Sequence, residues 1–101
     1  METVTKTEMI ERIEILRKRA NQHLKDIMEV KTSLDEGKPD FDINDFNELE
    51  KEIRSNLDEL HLLDHCAECI EDENSQINIR NIRVDLERAL AKIIFIYVVM
   101  L

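Results

Sequence analysis

Apolar residues recur along the chain in three series, each stepping alternately by three and four positions. The first runs Met9, Ile13, Leu16, Ala20, Ile27, Val30 and Leu34, with His23 in its one polar slot. The second runs Phe46, Leu49, Ile53, Leu60, Leu63, Ala67 and Ile70, with Asn56 as its polar intruder. The third runs Ile79, Ile82, Leu86, Ala89, Ile93, Ile96 and Met100. This spacing gathers apolar side chains into one stripe per helix. It predicts helices over about 6–36, 43–72 and 76–99 within one helical domain, 1–101.

Punctuation residues fall where those helices should begin and end. Thr5 and Glu8 form a capping-box pair ahead of the first stripe. Gly37 and Pro39 are the expected stop, and Asp42 is the expected cap of the second helix, with Asp45 in its first turn. Asp72, Glu73, Asn74 and Ser75 make a polar break, with Asn74 or Ser75 as the cap of the third helix. A single Gly and a single Pro are too few for the turns of a sandwich or barrel.

Short loops make neighbouring helices antiparallel, so residues that face each other should have a constant number sum. Pairing the first and second stripes (Val30 with Leu49, His23 with Asn56, Leu16 with Leu63) gives 79 or 80 throughout. Pairing the second and third (Ile70 with Ile79, Leu63 with Leu86, Ile53 with Ile96) gives 149 throughout. The expectation is an all-α, antiparallel up-down-up three-helix bundle, with completion by self-association as an option. His23 and Asn56 share a layer, where a polar pair excludes slipped pairings at some cost in stability.

Charge changes the picture in one place. The net charge is −9, and residues 37–75, with thirteen acidic and three basic side chains, carry the whole imbalance. Direct nucleic-acid binding is disfavoured there, because it needs clustered Lys and Arg. A basic protein surface is the more natural partner. Met1 to Lys6 lacks the apolar core of a secretory signal, and the longest apolar run, Ile93 to Leu101, is far short of a membrane span. Cys66 and Cys69 are too few for a secreted disulfide framework. A cytoplasmic protein without membrane attachment is expected.

Candidate chemistry concentrates on the second helix. His61, His65 and Cys69 stand one turn apart on its outer face, and imidazole and thiolate are zinc ligands. Three such residues diverge along a straight helix, so they are weak metal candidates unless two copies share an ion. Arg54 with downstream His61 resembles the Arg-then-His signature of the helical HEPN ribonucleases, which would imply RNA cleavage by that pair. The match spans eight residues, and Ser55 stands where that signature carries Asn, Asp or His. Neither His61 nor His65 is followed by the Lys-Gly of phosphotransfer histidine domains. No catalytic set and no cofactor site are legible.

The end of the third helix is the most informative feature. Beyond its stripe it carries Leu90, Ile94, Phe95, Tyr97 and Val98, so it is apolar all round. Two neighbours cannot cover such a helix. With Met28 it forms a patch larger than a soluble monomer leaves exposed, unless the loop around Phe41 and Ile43 covers it or the β-branched tail leaves the helix as an edge strand. The expected function is a non-enzymatic protein–protein interaction module, an adaptor, regulator or inhibitor, whose partner is another protein or a second copy. Its surface would comprise Ile94, Phe95, Tyr97, Val98 and Met28 with the acidic Glu48, Glu52, Asp58 and Glu59. The alternatives are an acidic nucleic-acid-mimicking inhibitor that uses those carboxylates, and a metal sensor at His61, His65 and Cys69.

Overall fold

The computed structural model describes residues 5–35 and 43–100 and consists of three helices, α1 (Lys6–Asp35), α2 (Ile43–Cys69) and α3 (Glu73–Met100). The expected stop at Gly37 and Pro39, the cap at Asp42 and cover by Phe41 lie outside the described residues, as do the side chains of Leu34, Ile43, Asp45 and Met100. Lys6 at the start of α1 lies 3.8 Å from Asp72 at the start of α3, and Phe46 at the start of α2 meets Tyr97 near the end of α3. The order is therefore up-down-up. One continuous core joins Met9, Leu16 and Ile27 of α1, Ile53 and Leu60 of α2, and Ile79, Leu86 and Ile93 of α3. The tail of α3 stays helical rather than forming an edge strand.

The N-terminus of α1 is capped as its sequence implies: the Glu8 amide donates to Thr5 Oγ1 at 3.2 Å. The α2–α3 turn is tighter than expected. The Asp72 amide donates to the Ala67 carbonyl at 3.0 Å and the Glu71 amide to the Glu68 carbonyl at 3.1 Å. These two bonds are a Schellman closure, and they put Glu71 in the left-handed region at φ 55°. The expected extension of α2 to residue 72 therefore ends at Cys69. Asp72 then caps α3, not Asn74 or Ser75. Its carboxylate accepts from the Ser75 amide at 3.4 Å and the Ser75 hydroxyl at 2.9 Å. The hydroxyl bond first, then the backbone amides and Lys6, hold the Asp72 carboxyl below the usual range against a smaller burial effect.

This turn changes the register. Ile70, expected in the core, is 49 % exposed, while Ser75 is 4 % exposed. Tyr97 would stand opposite Glu52 in the expected alignment. Instead its ring packs edge-on against Phe46, centroids 5.1 Å apart. These contacts set Phe46 near the height of Ile96 and Ala67 near that of Ser75, one heptad from the expected pairing. A seven-residue slip returns every apolar position to the seam, so the stripe pattern alone cannot tell the two apart. The α1–α2 pairing keeps its polar layer, with Asn56 Nδ2 2.9 Å from His23 Nε2.

Candidate interaction surface

Each helix has one face in the seam and one in solvent, so an apolar solvent face needs a reason. On α3 that face carries Ile77, Val84, Ala91 and Val98, seven residues apart and all exposed, flanked near the C-terminus by exposed Ile94 and Phe95. Phe95 and Val98 are 62 % and 67 % exposed. A period of seven opposite the seam makes a second apolar stripe along the whole helix. The reading from sequence found its C-terminal third, Ile94, Phe95 and Val98, but missed Ile77, Val84 and Ala91. The signal that would have found them is the same heptad count, applied to the outer positions.

Met28, the α1 member expected in this surface, is exposed. Beside it, α1 and α3 enclose a shallow groove of about 190 Å³ with Ile27 and Ile96 on its floor and Lys31, Lys92 and Phe95 at its rim. Tyr97 does not belong to the exposed patch. It is half-buried against Phe46, and its hydroxyl donates to Asn47 Oδ1. Burial, followed by the nearby Glu50 carboxylate, pushes its phenol pKa up. An e-type heptad position next to the seam explains the difference: its ring reaches the neighbouring helix instead of solvent.

The acidic residues expected on α2 divide into two groups. Glu59 receives a forked pair of bonds from Arg12 of α1, Nε to Oε2 at 3.0 Å with Nη2 to Oε1 beside it, and Glu48 lies 3.4 Å from Lys51. Glu52 and Asp58 are exposed. The carboxylate face is thus partly occupied by the protein's own cations.

His61, His65 and Cys69 are all exposed on α2. Among the described residues, no group of three or more His, Cys, Asp or Glu side chains is placed to hold a metal ion. Arg54, the other half of the ribonuclease-like pair with His61, donates to Glu50 Oε1 at 3.1 Å on the same exposed helix. Both members of the pair are exposed.

The buried polar layer joins Arg19, Asn56 and His23. Arg19 Nη1 lies 3.5 Å from Asn56 Oδ1, which orients the amide so that Nδ2 faces His23. The other ring nitrogen of His23, Nδ1, is buried with no hydrogen-bond partner among the described residues. Burial lowers the imidazole pKa, opposed by Glu52 and Asp26 and reinforced by Arg19, so the neutral ring is favoured. The layer is thus a neutral histidine bonded to an amide, with the Glu52 and Asp26 carboxylates acting on the ring from nearby.

Among the described residues, no helix is long and apolar enough to cross a membrane. The chain matches no protein-family model, no curated protein and no solved structure in these comparisons.

Proposed function

We propose that the protein is a non-enzymatic helical interaction module of the cytoplasm that acts as an adaptor, regulator or inhibitor by covering an apolar surface of another protein chain. The observation that carries this reading is the second stripe of α3, where Ile77, Val84, Ile94, Phe95 and Val98 all face solvent. Burying a side chain of this size is worth about 1.5–3 kcal/mol, so a continuous row of them is a strong drive to associate. Cys66 and Cys69 are both unpaired, which suits a reducing compartment. The nucleic-acid-mimic alternative draws less support, since Glu48 and Glu59 already engage Lys51 and Arg12.

A photoreactive amino acid at Phe95 tests the reading inside the native host. Covalent capture of a protein chain from position 95, but not from exposed Lys18 on the outer face of α1, is the expected result. Capture at neither position, or equally at both, removes the proposal.

A further inference from the structure

The two sides of the outer stripe of α3 complement each other. Three positions after Ile77, Val84 and Ala91 stand Arg80, Glu87 and Ile94; four positions after them stand Asn81, Arg88 and Phe95. At 3.6 residues per turn the first set runs along one side of the stripe and the second along the other. Every one of these residues is exposed. We infer that the occupant of this face is a second copy of the chain, with its α3 parallel to the first and in register with it. This rests on the proposed interaction module and names its partner.

A two-fold axis running between parallel helices brings opposite sides together at equal height. Ile77, Val84, Ala91 and Val98 then each meet the partner's identical residue at the axis. Beside them Arg80 faces the partner's Asn81, Glu87 the partner's Arg88, and Ile94 the partner's Phe95. The offset is one residue, about 1.5 Å of rise, in all three, and symmetry repeats each pair. Apolar residues meet apolar ones, the carboxylate meets a guanidinium, and the two Arg88 stand on opposite sides of the axis. In parallel coils a flanking residue also reaches the partner's residue five positions further on. For Arg80 that residue is Asp85 and for Glu87 it is Lys92, both of opposite sign. Among the described residues Arg80, Asp85, Glu87, Arg88 and Lys92 enter no ion pair within their own chain.

Antiparallel helices bring like sides together instead. Setting Ile77 on the partner's Val98 and Val84 on its Ala91 pairs the whole stripe, but it puts Glu87 beside Glu87 and Arg88 beside Arg88. Shifting that pair by a heptad leaves Ile77 or Val98 facing no member of the stripe. The parallel two-fold permits no shift, so its register is fixed. A match between the two sides of one helix has no use against an unrelated chain, which meets each side with residues of its own. Against a second copy the two sides are the two halves of one contact. The alternative face for self-association, on α2, fails on charge. Eight acidic and two basic side chains lie on that helix, so two copies would repel there.

The test is light scattering on the purified full chain across a concentration series. The wild type should pass from the mass of one chain to twice that mass. Glu87→Arg and Arg88→Glu each set like charges against each other on both sides of the axis. Each alone, with unchanged helical circular dichroism, should dissociate at concentrations at least about tenfold higher. An equimolar mixture of the two variants restores both pairs and should recover the dimer. Nitroxide labels at exposed position 74, in a background with Cys66 and Cys69 replaced by Ser, report the direction. Parallel helices about 10 Å apart hold the two labels at one height, within about 20 Å of each other. The antiparallel pairing of the whole stripe would hold them about 40 Å apart along the axis. A wild type that stays monomeric overturns the inference, as does a dimer indifferent to both charge reversals or labels about 40 Å apart. A monomer that still captures a different protein from position 95 would leave the interaction module standing and this inference refuted.

Discussion

At the scale of single residues, the His23–Asn56 pair is the clearest case of chemistry serving structure. His23 is 5 % exposed and Asn56 6 % exposed, and His23 relies on Asn56 for the bond its ring makes. Removing Asn56 strands the ring, at about 1–3 kcal/mol for a buried polar group left unmade. Asn56→Leu should therefore destabilise, while His23→Leu with Asn56→Leu should recover most of the loss or exceed the wild type. The pH dependence follows from the lowered imidazole pKa. The unfolded chain binds a proton more readily than the native one, so the stability owed to neutral His23 is complete above the ordinary value near 6.5. It declines as pH falls through 6.5 towards the native pKa. Urea midpoints at about pH 7.5 and about pH 5.5 should differ more for the wild type than for His23→Leu, and identical differences would show that another group carries the effect. The pairing itself was legible in the sequence, because two polar residues interrupt two stripes at matching positions. The orienting role of Arg19 was not legible, since it depends on a long side chain reaching sideways between helices.

At the scale of elements, the helix bounds were legible and the alignment of α2 with α3 was not. Apolar spacing fixes where a helix runs, and the described bounds lie within a few residues of the expected ones. Register is degenerate under a seven-residue shift, and here a turn decides it. The Schellman closure stops α2 at Cys69, turns Ile70 outward and makes Asp72 both the end of one helix motif and the cap of the next. Nothing in the composition of residues 70–75 announces this, because the left-handed position is filled by Glu71 and not by glycine. A left-handed conformation costs a residue with a β-carbon about 1 kcal/mol, and glycine avoids that cost. Glu71→Gly should therefore stabilise the protein by about 1 kcal/mol, a rise of roughly 4–8 °C in the thermal midpoint for a domain of this size. A lowered midpoint would mean that the Glu71 side chain contributes something the backbone geometry does not reveal. Asp72→Ala should act in the opposite sense, because the amide and hydroxyl of Ser75 lose their acceptor. The candidate surface was half legible for a related reason: its Phe- and Ile-rich end stands out from the composition, whereas Ile77 and Val84 are single apolar residues among polar ones.

At the scale of the whole molecule, thinness is the governing fact. The protein measures 49 × 24 × 19 Å and exposes 7290 Å², against roughly 6,000 Å² for a compact globule of its mass. Among the described residues three helices share one seam and no fourth element lies over α3, so its outer stripe is bare there. Charge is distributed with the same economy: α2 carries the acidic excess, while α3 is close to neutral. Most of the ion pairs that bridge the surface are exposed and contribute about 0–1 kcal/mol each. Repulsion among the carboxylates of α2 opposes them, and it acts over the same distances. Raising salt from about 0.01 M to about 0.15 M shortens the screening length from about 30 Å to about 8 Å. Repulsion spread along a helix some 40 Å long is cut heavily by that change. Close pairs such as Arg12–Glu59 keep most of their attraction. The net effect expected is a higher urea midpoint with added salt, and a smaller salt response once Glu52→Gln and Asp58→Asn remove two exposed charges. A midpoint that falls with salt would show that the ion pairs outweigh the repulsion and that the acidic face is a stabilising network.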